Sequence, residues 1–276
     1  MKERAQHLLS MVERDIAANR LILPSLPEVA MRVRELTADP DCKVHVLEHE
    51  VAKDAAIAAR LLKVANSSAL LRGSPLTSLR QAITSLGFNL VRSLVTQLAI
   101  LQTMQSSSDK DRLRGFVAGG LRISALCHTL AGQHAQLDPE LAALGGLLHD
   151  IGKLPLRDFL ERQAELSPTE RMQFEQILHP QVGAIMLRRW QMTDDLVRMA
   201  REHERIMRET GEETPDYVDV VIAANLLHYG TEKGRYAQYA DATVPALIKC
   251  TNGALSAEAQ QSTEERMELA LALISA

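Results

Sequence analysis

Leu144-Gly-Gly-Leu-Leu-His-Asp-Ile-Gly-Lys153 is an apolar run that ends in a His–Asp pair. Leu141, Leu144, Leu147 and Leu148 recur at the spacing of a buried helix face, which Pro139 opens. Gly152 follows where a helix C-terminus favours a left-handed residue. Two side chains able to ligate a metal, His149 and Asp150, are thus expected back to back in a last helical turn. Lys153 offers a charge that can meet a phosphate, but a single Lys past a helix end usually stays solvated against the helix dipole.

Composition agrees with a helical reading. Of 276 residues, 46% are hydrophobic and only 3% aromatic. Leu and Ala dominate and period-two runs of Val and Ile are scarce, so the expected fold is all-α, helix packed on helix. A net charge of −4 gives no reason to expect nucleic acid or an anionic membrane as partner. Cys42, Cys127 and Cys250 leave one thiol over in any disulfide scheme, so reduced thiols are expected. No run of about 20 apolar residues and no signal-peptide core are present, and the expectation is a cytoplasmic protein.

Upstream, Met1 to Asn19 reads as an amphipathic helix through Leu8, Leu9, Val12 and Ile16. Leu23-Pro-Ser-Leu-Pro27 breaks it, and Pro27 opens a helix to about Thr37. Helices follow at Val44–Lys53 and Ala55–Ala65, the second ended by Asn66, a residue that tolerates the left-handed conformation. Thr77 or Ser78 caps a helix to Leu86, Gly87 stops it, and Phe88 to about Thr103 forms the next. Ser106-Ser-Ser-Asp109 is the best internal joint. Leu113 to Ala135 reads as one long helix despite Gly115, Gly119 and Gly120.

The order Leu23-Pro-x-Leu-Pro27, Asp54 with Ala58-Arg-Leu-Leu62, Ala65-Asn-Ser67 and Leu79-x-x-Ala82-Ile83-x-x-Leu86-Gly87 resembles the HDOD family of bacterial signalling proteins. The likeness runs on through His149-Asp150 to about His203 and covers most of residues 20–215. It implies an all-helical fold with an HD-like later lobe, a regulatory rather than catalytic role, and a cytoplasmic location.

Read against the HD hydrolases to which that family is related, the site looks reduced. The resemblance puts a further His near Gly119, which has no donor atom, and a distal Asp at Asn225, a weaker neutral ligand. His128 and His134 are displaced from the required position by one to three turns. His179-Pro-Gln-Val-Gly183 and Arg201-Glu-His203-Glu204 resemble segments of the related HD-GYP phosphodiesterases. The paired histidines of the second segment are reduced to one, flanked by Glu202 and Glu204. Four HD-type positions survive: His149, Asp150, His179 and His203. They are expected to form a buried polar network, Asp150 pairing with His149, Lys153 or a helix N-terminus, with no catalytic residue, metal or cofactor; weak metal binding by His149, Asp150 and His179 is the alternative.

Further along, a helix is expected from near Pro180 to Trp190, and Asp216 to Tyr229 forms a later one with Asp216 and Asp219 at its start. Arg198, Arg201, Arg205 and Arg208 suggest a solvated, ion-paired face. Pro245 to Cys250 and Met267 to Ile274 close the chain as helices. We therefore expect two packed helical lobes, residues 1–108 and 109–276. The function expected is that of a non-enzymatic regulator working through a signalling protein or a nucleotide ligand. The alternative is a metal-dependent phosphohydrolase of a nucleotide or cyclic dinucleotide.

Overall fold

Apolar residues at three-to-four spacing build an all-α chain with no strand among the described residues. The computed structural model describes all residues except 22, 24–25, 68–72, 106–109, 252–260, 262 and 265–276, with the backbone alone for 101, 103–105 and 110–118. In chain order the first helices are α1 (Lys2–Ala17), α2 (Glu28–Ala38), α3 (Val44–Val51), α4 (Ala55–Ala65), α5 (Leu79–Leu86) and α6 (Phe88–Gln105). Then come α7 (Lys110–Ala131), α8 (Pro139–Leu148), α9 (Lys153–Glu161), α10 (Pro168–Arg189) and α11 (Asp194–Glu202). After α12 (Tyr217–Tyr229), a 3-10 segment (Gly234–Tyr239) leads to α13 (Pro245–Thr251).

By their contacts the helices form two units, one of Met1–Pro24 with Gly145–Gly253 and one of Ser25–Leu144 with Ala254–Ala276. The expected boundary at residue 108 therefore falls inside a unit. The reason lies in the packing: α7 meets α6 within the second unit, whereas α1 lays Leu8, Val12 and Ile16 on Phe174 and Leu178 of α10 in the first. In the second unit α2 packs on α3 and α6, and α4 on α5 and α6. Leu94, Val95 and Leu98 bury the inner face of α6. The joint expected at Ser106–Asp109 and the closing helix expected at Met267–Ile274 lie outside the described residues.

Local chemistry sets several helix ends. Ser78 caps α5 in a reciprocal box with Gln81, and Gly87 stops it at φ +76°. Asn66 ends α4 at φ −94°, not in the left-handed region. Its side chain does the work instead, donating to the Leu62 and Leu76 carbonyls and accepting from the Leu76 N–H. The helix expected from Pro180 starts at Pro168, where Ser167 and Glu170 form a capping box. Pro180 sits inside it, and the lost hydrogen bond and ring clash, worth about 3 kcal/mol, are offset by packing on α1, α9 and α11.

Candidate functional site

His149 and Asp150 lie in the turn between α8 and α9, just beyond the helix on which they were expected. Gly152 also departs from expectation, with a right-handed φ of −64°. What its position needs is a missing Cβ: an added one would stand 2.1 Å from the His179 carbonyl oxygen and 2.4 Å from the Gly183 nitrogen. The start of α9 therefore rests on the backbone of α10, and this approach carries Asp150 to His179. Lys153, which the sequence offered both as a solvated charge and as a buried partner of Asp150, is buried and donates to Asp150 Oδ2 at 2.5 Å.

His179 comes from the middle of α10, and His203 from the C-terminal cap of α11 with Glu204 next to it. Each imidazole sets one nitrogen against a backbone carbonyl. His149 Nδ1 is 2.7 Å from Gly146 O, His179 Nδ1 2.9 Å from Glu175 O and His203 Nδ1 2.9 Å from Ala200 O. A carbonyl only accepts, so the hydrogen-bond pattern puts a proton on each Nδ1 and, in a neutral ring, leaves the lone pair on Nε2.

Those lone pairs converge with two carboxylates. His179 Nε2 stands 3.0 Å from Asp150 Oδ1, 3.1 Å from His203 Nε2 and 3.6 Å from Glu204 Oε1. His203 Nε2 stands 3.4 Å from Asp150 Oδ1 and 3.2 Å from Glu204 Oε1. Ligands held about 2.0–2.1 Å from a tetrahedral ion are about 3.3–3.4 Å apart; these five separations bracket that value, and all four atoms lie within 4.8 Å of one another. Asp150, His179, His203 and Glu204 thus fit a single divalent cation. An ion held there would supply Lewis acidity to a bound oxygen.

His149 stands beside this group rather than in it. Its Nε2 is 3.6 Å from Asp150 Oδ2, buried and without a hydrogen-bond partner, and its ring meets His203 edge-on at 4.8 Å. Burial depresses its pKa to about 3 and that of His179 to about 4, so both rings are neutral near pH 7. Burial opposes charge on Asp150 as well. Its surroundings, His149 with His179, His203 and the Lys153 ammonium, outweigh it and hold that carboxyl well below the usual range.

Three of the four expected positions therefore come together, and Glu204 completes the set. Its adjacency to His203 was the available signal. Asn225 is fully buried on α12 with both side-chain polar atoms unbonded. Gly119 and His128 belong to α7 in the other unit, where His128 meets Glu140. Nothing in the sequence pointed to Arg235, which pairs with Glu204 from the 3-10 segment and lies over the Tyr236 ring at 5.2 Å.

A second polar cluster fixes the loop after α11. Arg208, expected on a solvated face, is buried, bonding Asp216 at 2.6 Å and Asp219 at 2.8 Å. Arg198 reaches Asp216 at 2.9 Å, and Lys249 of α13 reaches Thr210 at 2.7 Å. Both flanks of the loop that begins with His203 and Glu204 are thereby tied to the start of α12.

A helical chain with a His–Asp turn at the head of α9 and further histidines on α10 and α11 defines an HD-related protein. Residues 23–206 match the HDOD domain family, and the chain belongs to it. No functionally curated protein matches. Among solved structures, a protein of Shewanella amazonensis SB2B whose name proposes a metal-dependent phosphohydrolase is similar at 22% identity and a TM-score of 0.75, covering 97% of this chain and 99% of that one. An HDOD domain protein of unknown function from Geobacter sulfurreducens has 19% identity and a TM-score of 0.69, with 99% and 98% covered. A protein of Marinobacter aquaeolei VT8 whose name proposes signal transduction has 23% identity and a TM-score of 0.63, with 93% and 61% covered. At these identities the likeness establishes the fold. Among the described residues no single helix is long and apolar enough to cross a membrane.

Proposed function

We propose that the chain is a non-enzymatic signal-transduction protein of the bacterial cytoplasm, acting through a signalling protein or a nucleotide ligand bound to its HD-type unit. The observation that carries this reading is the closure of the site. Lys153 holds Asp150 and Arg235 holds Glu204, while His149, His179 and His203 are at most 2% exposed. Phosphoester hydrolysis needs an ion with an open position for water and room for substrate beside it. Here internal cations already engage both carboxylates. Family membership and the name of the Marinobacter protein support the same reading.

A metal-dependent phosphohydrolase is the second reading, favoured by the four converging donors and by the name of the Shewanella protein. Incubating the purified chain with Mn2+ or Fe2+ and a cyclic dinucleotide or nucleotide decides between them. We expect no turnover. Hydrolysis that disappears on chelation and in Asp150→Ala would establish the second reading and end the first.

A further inference from the structure

The contacts among Asp150, His179, His203 and Glu204 pose a problem of charge. With every Nδ1 committed to a carbonyl, neutral imidazoles leave only acceptors facing one another at 3.0–3.6 Å. Lone pairs on buried atoms at this range repel unless a cation lies among them, and one proton bridges at most one pair of these atoms. A divalent ion satisfies all four donors at once. Two imidazoles with two carboxylates suit a borderline transition ion such as Zn2+ better than Ca2+ or Mg2+, which take oxygen donors.

The chain also carries its own cation to the rim of this group. The Arg235 guanidinium engages Glu204 Oε1, the same oxygen that faces His179 and His203. Arg235 stands on the 3-10 segment, stacked on Tyr236, whose ring is buried and 6.2 Å from that of Tyr229. Lys153 does not block the group in this way, because it takes the other oxygen of Asp150.

We propose that Asp150, His179, His203 and Glu204 form a binding site for one divalent transition-metal ion, and that Arg235 competes with the ion for Glu204. Metal binding then exchanges one cation for another and frees the 3-10 segment from the site, so occupancy is read out on the surface around Lys233–Arg235. The competition follows from valence: an oxygen coordinated to a divalent ion has little negative charge left for a guanidinium. This deepens the regulatory reading above, on which it rests for its purpose but not for its chemistry.

Calorimetric titration of the full chain with Zn2+ is the test, using the wild type and the variants Arg235→Gln, Glu204→Gln and His179→Ala. We expect one ion per chain. Arg235→Gln should tighten binding by about tenfold, within the usual range of coupling between two sites. His179→Ala should weaken it by about 100-fold or more, the upper range for lost support of a metal site. Glu204→Gln, near-isosteric at a partly exposed position, repeats the ligand test if His179→Ala fails to fold. Trypsin should cleave after Lys233 and Arg235 faster when Zn2+ is added to the wild type. Equal affinity in the wild type and Arg235→Gln would overturn the competition, and undiminished binding in Glu204→Gln would overturn the site. Binding with the expected variant pattern but with cyclic-dinucleotide hydrolysis would keep this inference and defeat the regulatory reading. No binding and no hydrolysis would do the reverse.

Discussion

Gly152 shows how a single absent side chain sets the site. Its Cα lies so near α10 that a methyl group would strike two backbone atoms, the His179 carbonyl and the Gly183 nitrogen, and backbone cannot swing aside as a side chain can. Gly152→Ala is therefore expected to destabilise the fold by about 3 kcal/mol and to part Asp150 from His179. Chemical denaturation checks the first effect and metal affinity the second; a change below about 0.5 kcal/mol would mean that α9 moves freely. The sequence carried this glycine but suggested the wrong reason for it. A His–Asp pair ahead of Gly reads as a helix stop, and only the tertiary approach of α10 shows that Gly152 is a contact. His149, Asp150, His179 and His203 were legible because their motifs survive. Glu204 was visible only as a neighbour of His203. Arg235 was not legible, since no local pattern tells an arginine that bonds a carboxylate about thirty residues away from one in solvent.

Helix boundaries were legible wherever capping chemistry is local. Ser78 and Asp216 mark the starts of α5 and α12 in the sequence as in the structure. The start of α10 was missed although Ser167-Pro-Thr-Glu170 has the same signature, because Pro180 reads as the first turn of the helix. Asp216 does more than cap α12. Burial opposes its charge, but the hydrogen bond from Arg208, the backbone N–H of Asp219 and the charges of Arg208 and Arg198 outweigh this and lower its pKa from 3.8 to about 2. A carboxylate depressed in the folded state binds its proton more readily when unfolded. Its contribution is therefore complete above pH 3.8 and is lost as pH falls toward 2. The difference in unfolding free energy between wild type and Asp216→Asn should be constant from about pH 5 upward and shrink below about pH 4. A difference that grows on acidification would show that the Arg208 pair does not act as described.

The unit that carries the site is discontinuous in the chain: α1 is separated from α9 and α10 by residues 25–144, all assigned to the other unit. Sequence patterns could not reveal this, because an amphipathic helix announces an apolar face without naming what the face will cover. The joint at 106–109 looked like a boundary for the same reason: loop composition marks a turn in the chain, not a border between cores. In the structure Leu8 and Val12 share a cluster with Leu156, Phe159, Phe174 and Val182, so the first helix and α10 stand or fall together. Leu8 is only 4% exposed, and truncating a buried leucine costs about 2–5 kcal/mol. Leu8→Ala should accordingly lower stability by at least about 2 kcal/mol, with amide protection falling first across α9 and α10, more than 140 residues away in sequence. Hydrogen exchange read by mass spectrometry resolves these segments. Protection lost from α2–α6 while α9 and α10 keep theirs would place the first helix in the other unit and return the boundary to the joint near residue 108.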